Sequence, residues 1–358
     1  MARLEDVCKK ATSNIAQKDL AEHNGDYPIY GASGFIKNVD FYQQESPYIA
    51  VVKDGAGIGR VMKLPAKSSV IGTMQYIIPN DAVDISYLAY AMEHMNLSKY
   101  FTGATIPHIY FKDYQKEELP LPPLDEQRKI AAVMDKVSDL IAKRRQQLDK
   151  LDEMVKSRFV EMFGDPVSNS LDLSLLSLSQ LGEFGRGVSK HRPRNAPELL
   201  GGKYPLIQTG EVANSKLYIS SYENTYSELG FKQSKMWKSG TLCITIAANI
   251  AKTAILTFDA CFPDSVVGFT ANEKTNNIFI HYWFGFFQQI LEAQAPESAQ
   301  KNINLKILNE LKVIVPSIEL QNQFAAFVKQ TEKTKATIGE SLEKLETLKK
   351  ALMQEYFG

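Results

Sequence analysis

Cysteine is scarce, neither sign of charge is in excess, and long hydrophobic runs are missing. The 358 residues hold three cysteines, Cys8, Cys243 and Cys261. Their odd number and scattered placement exclude a disulfide framework and fit a reducing compartment. Lysine plus arginine and aspartate plus glutamate both number 41. That balance excludes a surface coated with polyanion-binding charge but leaves local basic patches open. No stretch approaches the roughly 18 apolar residues of a membrane span, and the start, MARLEDVCKK, has no signal-peptide core. A soluble cytoplasmic protein is expected, with no membrane contact. Hydrophobic residues make up 44% of the chain, which excludes disorder, and the length suffices for two domains with their own cores.

Catalytic signatures are missing as well. The run Asp54-Gly55-Ala56-Gly57-Ile58-Gly59-Arg60 invites a dinucleotide-binding reading, but Arg60 stands where the last glycine belongs. The following Val61-Met62-Lys63-Leu64-Pro65 reads as a strand, so a tight hairpin turn is the better account. There is no GxxxxGK[ST] phosphate loop and no Asn/Asp-Pro-Pro-Tyr/Phe motif of amino-methyltransferases. Pro263-Asp264 followed by Glu273-Lys274 lacks the E-x-K spacing of a metal-dependent nuclease, and the five histidines show no metal spacing. A chain without catalysis, metal or cofactor of its own is expected.

What the sequence does have is a repeat. Leu121–Gly164 and Val315–Gly358 match without a gap at an offset of 194 residues, as Pro122 with Pro316 shows. The identities also include Gln127 with Gln321, Ala131-Ala132 with Ala325-Ala326, Lys150-Leu151 with Lys344-Leu345, and Phe163-Gly164 with Phe357-Gly358. Landmarks of that kind keeping one register are not explained by shared composition. Upstream the likeness is looser: Gly25–Ile29 resembles Gly202–Leu206, and Ser69–Gly72 resembles Ser265–Gly268. The chain thus divides into a globule (1–121), a helix (122–164), a second globule (165–314) and a second helix (315–358).

Each repeated segment reads as one long helix. Pro122 and Pro123 end the preceding extended stretch, Asp125 and Glu126 suit a first turn, and Ser317 suits an N-cap. Apolar residues recur at Ile130, Val133, Val137, Leu140, Leu148, Leu151, Val155, Phe159 and Met162, and at Phe324, Phe327, Ile338, Leu342, Leu345, Leu348 and Leu352. Steps of three and four make a coiled-coil seam, and the natural partner for each rod is its own repeat, running antiparallel. Short β-branched or aromatic runs, such as Tyr48–Val52, Gln75–Ile78, Leu242–Ile246 and Thr253–Phe258, make the globules β-rich, with one aromatic helix each. The expected fold is therefore α+β: two pseudo-repeated mixed α/β globules separated by two long antiparallel coiled-coil helices, with the globules at opposite ends.

Binding signals lie in the globules. Arg186, Lys190, His191, Arg192 and Arg194 crowd a Gly- and Pro-marked loop that suits phosphates, though a solvated loop would look the same. Thr102–Lys112 carries Thr105, His108, Tyr110 and Lys112, and reads either as a DNA contact or as a structural crossing between helix and strand. Lys53, Arg60 and Lys63 follow one hairpin and serve the same surface or a solvated face. Lys252 and Lys301 complete the set in the second globule. On the rods, a sequence kept between two copies must meet the same kind of partner twice, which singles out Gln127, Ile130 and Ala131 with their counterparts Gln321, Phe324 and Ala325.

The Leu-Pro-Leu-Pro-Pro-Leu-Asp-Glu-Gln-Arg-Lys-Ile start of the first rod, its Phe-Val-Glu-Met-Phe-Gly close, Gly103–Ile109 and Tyr27–Gly34 together resemble the specificity subunit of type I restriction-modification enzymes, over the whole chain. The second globule departs from the two globule motifs at Gln208–Glu211 and Glu297–Asn302, which implies a different base preference or weaker contact there. The resemblance implies double-stranded DNA as ligand, with each globule a target-recognition domain for one half of an asymmetric, bipartite site and the helices setting the spacer. It also implies two methylation subunits carrying S-adenosylmethionine, and restriction subunits using ATP and Mg. A coiled-coil adaptor binding only proteins is the competing reading.

Overall fold

The computed structural model describes residues 1–102, 107–191, 193–247, 250–294, 303 and 305–358. It falls into two compact units, Met1–Gln147 with Thr337–Gly358, and Leu148–Ala336. Both long helices, Leu124–Phe163 and Ile318–Phe357, are unbroken and contribute to both units. Their ends are set by local chemistry. Pro123 O accepts from the Glu126 and Gln127 amides at the start of the first helix. Gly164 closes it at φ +71°, where a Cβ would come within 2.5 Å of Ser170 Oγ, so glycine is required. In the second helix Ser317 Oγ accepts from Leu320 N at 3.4 Å, the expected cap.

In the first unit, strands Cys8–Thr12, Met74–Pro79, Tyr48–Val52 and Val61–Leu64 form an antiparallel sheet in that order. All five residues of Tyr48–Val52 are buried because both faces are covered. Ile49 and Val51 pack under helix Ile85–His94 with Ala131 and Met134 of the first long helix and Met353 and Phe357 of the second, which makes the rods antiparallel here. Tyr48, Ala50 and Val52 face a smaller sheet, Gly34–Val39, Tyr27–Gly31 and Ser69–Val70, the last pairing parallel.

The second unit repeats this plan. Strands Gly182–Arg186, Val266–Ala271, Leu242–Thr245 and Thr253–Leu256 follow the same order and sense, with Tyr218–Ile219 added in parallel. A second sheet orders Asn224–Tyr226, Leu200–Leu206, Ala260–Cys261 and Met236–Trp237. The aromatic helix Asn277–Gln294 meets the rods in a cluster where the Phe163 ring lies 5.0 Å from Phe279 and 5.5 Å from Phe324. Here too the rods run antiparallel.

Three expectations need correction. In the first half of the first long helix the buried stripe is Gln127, Ala131, Met134, Val137 and Ile141, whereas Val133 and Leu140 are 41% and 37% exposed; Val137, Val155 and Phe159 of the expected seam are buried. The stripe is phased by Gln127, a polar residue buried for its hydrogen bonds, so hydrophobicity alone falls one residue out at Val133 and Leu140. Leu348 of the second helix is likewise exposed. The likeness of Ser69–Gly72 to Ser265–Gly268 does not survive either: Ser69–Val70 pairs parallel with Tyr27–Gly31, as Cys261 pairs with Leu206, while Val266–Val267 lies in the main sheet. The third concerns the residues singled out as partner contacts. Gln127, Ala131, Gln321, Phe324 and Ala325 are buried within their own units, and Ile130 is half-buried. Gln127 donates to Pro122 O and Ala82 O and accepts from Asp84 N; Gln321 donates to Pro316 O and Lys274 O and accepts from Asn276 N and Thr275 Oγ1. These side chains clamp each rod to its own globule instead of facing a partner.

Candidate functional site

In the main sheet of the first unit, the C-terminal ends of Cys8–Thr12 and Tyr48–Val52 and the N-terminal ends of Val61–Leu64 and Met74–Pro79 lie together. The turn 53–60 therefore projects from that end. Gly55, Gly57 and Gly59 all have φ near +80°, and a Cβ on Gly59 would meet Ser98 N at 2.5 Å. The glycines thus make a hairpin turn, as the sequence indicates. The segment from Pro107 to Ile109 folds onto this turn: Ile109 N donates to Lys53 O and Gly55 N to Pro107 O. The side chains of Asp54 and His108 face each other, with Oδ1 and Nδ1 2.6 Å apart. The other Asp54 oxygen accepts from Lys53 Nζ. Partial burial works against the charge, but hydrogen bonds from Lys53 and His108 outweigh it and hold the Asp54 carboxyl below the usual range.

Around this pair lies an exposed aromatic and cationic surface. The Tyr110 ring is 51% exposed, stacks on His108 at 6.4 Å, and carries Lys112 Nζ 5.4 Å from its centre. Arg60 Nη1 donates to Ala32 O at 2.8 Å, which brings in the Tyr27–Gly34 segment, where Phe35 follows, exposed. Lys53, Arg60, His108, Tyr110 and Lys112 are thus gathered. Lys63 is not among them: its Nζ reaches Ser86 Oγ at 2.7 Å and Asp135 at 3.6 Å, beside the helices. Thr105 lies outside the described residues.

The corresponding sheet end of the second unit holds residues 187–191, 193–196, 246–247, 250–252 and 262–265. Two of the expected cations there are engaged within the chain. Arg186 Nε donates to Asp264 O at 2.5 Å, and Arg194 Nη2 meets Asp264 Oδ1 at 2.5 Å. Gly187 packs so tightly that a Cβ would meet Pro263 O at 2.2 Å. The basic segment is held further along as well: Gln233 Oε1 accepts from both Lys190 N and His191 N. His191 also lies 3.7 Å from Glu198. The Lys190 side chain stays exposed. Arg192 and Lys301 lie outside the described residues. Lys252 lines a cavity of about 530 Å³ with Lys156, Lys216, Thr253, His281 and Tyr282. Burial pulls His281 down to about 4, so it is neutral near pH 7, with Nδ1 2.9 Å from Thr253 Oγ1.

Sequence reading missed Asp54 as a partner of His108, Gln233 as the anchor of the basic loop, and Lys235, whose Nζ lies 3.9 Å from the centre of the Trp237 ring. Among the described residues, no cluster of three or more His, Cys, Asp or Glu gathers to hold a metal, and no helix is long and apolar enough to cross a membrane.

Comparison with known proteins fits this geometry. Residues 1–152 and 176–347 match the family described as the type I restriction modification DNA specificity domain. The MjaVIII type I restriction enzyme specificity subunit of Methanocaldococcus jannaschii is 23% identical over 355 residues, covering 90% of this chain and 81% of the relative. A putative MjaX specificity subunit of the same organism is 22% identical over 288 residues, 77% of this chain and 68% of that one. Among solved structures, the S subunit of a type I restriction-modification system from M. genitalium superposes with a TM-score of 0.63 at 16% identity, over 100% of this chain and 95% of that one. Two copies of one sheet plan on two repeated helices, matched by this family over most of the sequence, make the chain a member of the type I restriction-modification DNA specificity family.

Proposed function

We propose that each unit of this specificity subunit reads one half of an asymmetric, bipartite DNA target, through the loops at the projecting end of its main sheet. One observation carries the reading: the two units share strand order and sense, yet their loop ends differ in every candidate contact. A shared scaffold with unlike contact residues is what two different half-sites require, because bases are told apart by individual side chains. In the first unit Arg60, Tyr110 and Lys112 supply charge and stacking around His108. In the second, Lys190 is exposed and Lys252 half-buried; the Lys190 amide is held by Gln233, and Arg186 and Arg194 are engaged by Asp264.

In this proposal the chain itself neither cuts nor methylates. Two methylation subunits bring S-adenosylmethionine, restriction subunits bring ATP and Mg, and the length of the long helices sets the unread spacer. The complex acts in the cytoplasm, where cellular DNA lies. A protein-binding adaptor would account for the helices but leave the two unlike loop ends without a role. Mapping methylated sites in DNA from cells carrying this chain with its methylation subunit tests the proposal. Two specified half-sites at a fixed spacing are expected; a single continuous site, or no sequence preference, would refute it.

A further inference from the structure

We propose that His108 is a base-reading acceptor of the first unit, and that Asp54 is the positioning residue that fixes its polarity. The argument begins with the backbone. Residues 107–109 lie antiparallel against 53–55, so Asp54 and His108 stand directly opposite each other with side chains on one face. Asp54 accepts on both oxygens, from His108 Nδ1 at 2.6 Å and from Lys53 Nζ, and its side chain is only 23% exposed. The carboxylate is therefore a fixed, ionised acceptor. A neutral imidazole has one N–H, and a carboxylate on Nδ1 places it there. In that neutral form Nε2 is a bare lone pair, without a partner among the described residues, on a side chain that is 37% exposed.

The surroundings give that lone pair a direction of use. Tyr110 stacks on the ring from an exposed position, Lys112 lies over Tyr110, and Lys53 lies behind Asp54, so cations flank the acceptor. Phosphates are met by the cations; the lone pair cannot serve them, because a phosphate oxygen is itself an acceptor. What it takes is a donor, and in the DNA major groove the donors are the exocyclic amino groups of adenine and cytosine. The inference rests on the proposed half-site reading and deepens it. One base pair of the half-site read by the first unit is specified by an amino group given to His108 Nε2.

The test uses the full chain in complex with its methylation subunit, acting on a randomised target pool, with modified molecules sequenced. His108→Ala should lower preference at one base pair of one half-site by about tenfold and leave the other half-site intact. His108→Gln keeps an acceptor oxygen and should restore part of that preference. Asp54→Asn frees the tautomer, so the same position should lose its amino-group preference or turn toward guanine or thymine, which offer acceptors; loss of a merely structural contact would not exchange one base for another. The unchanged second half-site reports that the variants are folded. Unaltered preference in all three variants, or a reduced salt slope with unaltered preference, overturns the proposal, the latter by making His108 a phosphate contact. Exchange of residues 2–118 for those of a relative separates the two levels: if it changes one half-site while His108→Ala changes none, only the His108 assignment falls. If it changes neither half, both fall.

Discussion

Replacing Gln321 by Ala removes the clamp that joins the start of the second long helix to the second globule. Gln321 is fully buried and makes four hydrogen bonds, to Pro316 O at 2.9 Å, Lys274 O at 3.0 Å, Thr275 Oγ1 at 2.8 Å and Asn276 N at 3.3 Å. Truncation leaves three backbone groups and a hydroxyl without partners. At about 1 kcal/mol net for each bond the cost is roughly 4 kcal/mol, more if water does not enter. For a unit of this size that lowers Tm by about 10 °C. Differential scanning calorimetry of the full chain reads the change, and Gln321→Glu should not restore it, because a carboxylate cannot donate to two carbonyls. A loss below about 1 kcal/mol, or a variant of normal stability that fails only to assemble with methylation subunits, would refute the clamp and return Gln321 to the role of a partner contact.

Other outcomes follow from the same structure. His281 is held down at about 4 against an ordinary 6.5, so the unfolded chain takes up its proton first as pH falls. Its contribution is complete above about pH 6.5 and is lost as pH drops toward 4, by roughly 3 kcal/mol. His281→Asn should flatten the stability curve over that window, and an unchanged curve would count against a buried neutral imidazole. Lys335, only 9% exposed, meets both Asp152 at 2.6 Å and Glu332 at 2.5 Å; because Glu332 still faces the ammonium, Asp152→Ala should cost about 1 kcal/mol in chemical denaturation and Asp152→Ala with Lys335→Met less. Equal losses would deny the pairing. For DNA binding, Lys190→Ala should reduce the slope of affinity against salt by about 0.9, whereas Arg194→Ala should loosen the loop through the loss of Asp264. An unaffected slope would assign Lys190 to solvent.

Much of this was legible in the sequence because it was written twice. The offset of 194 residues located both helices, and the Phe-Gly landmark corresponds to a glycine with φ +71° that a side chain would obstruct. What escaped was whatever depended on partners far along the chain. Arg186 and Arg194 look like free charges until Asp264, 78 residues beyond Arg186, folds against them. The stripe was read rightly at Val137, Val155 and Phe159 but not near the helix start, because a buried glutamine and an alanine carry little hydrophobic signal, while exposed Val133 and Leu140 carry more. In the first globule the glycine turn and the His108 segment were each visible; that they meet through Asp54 was not, since the two residues lie 54 positions apart.

The claim that each unit reads its own half-site is tested most directly by exchanging residues 2–118 for the equivalent part of a relative with a different target, then mapping methylation by the reassembled complex. The account predicts a new first half-site beside an unchanged second half-site and spacer. A change in both halves would contradict it, by showing that the units read DNA as one coupled surface.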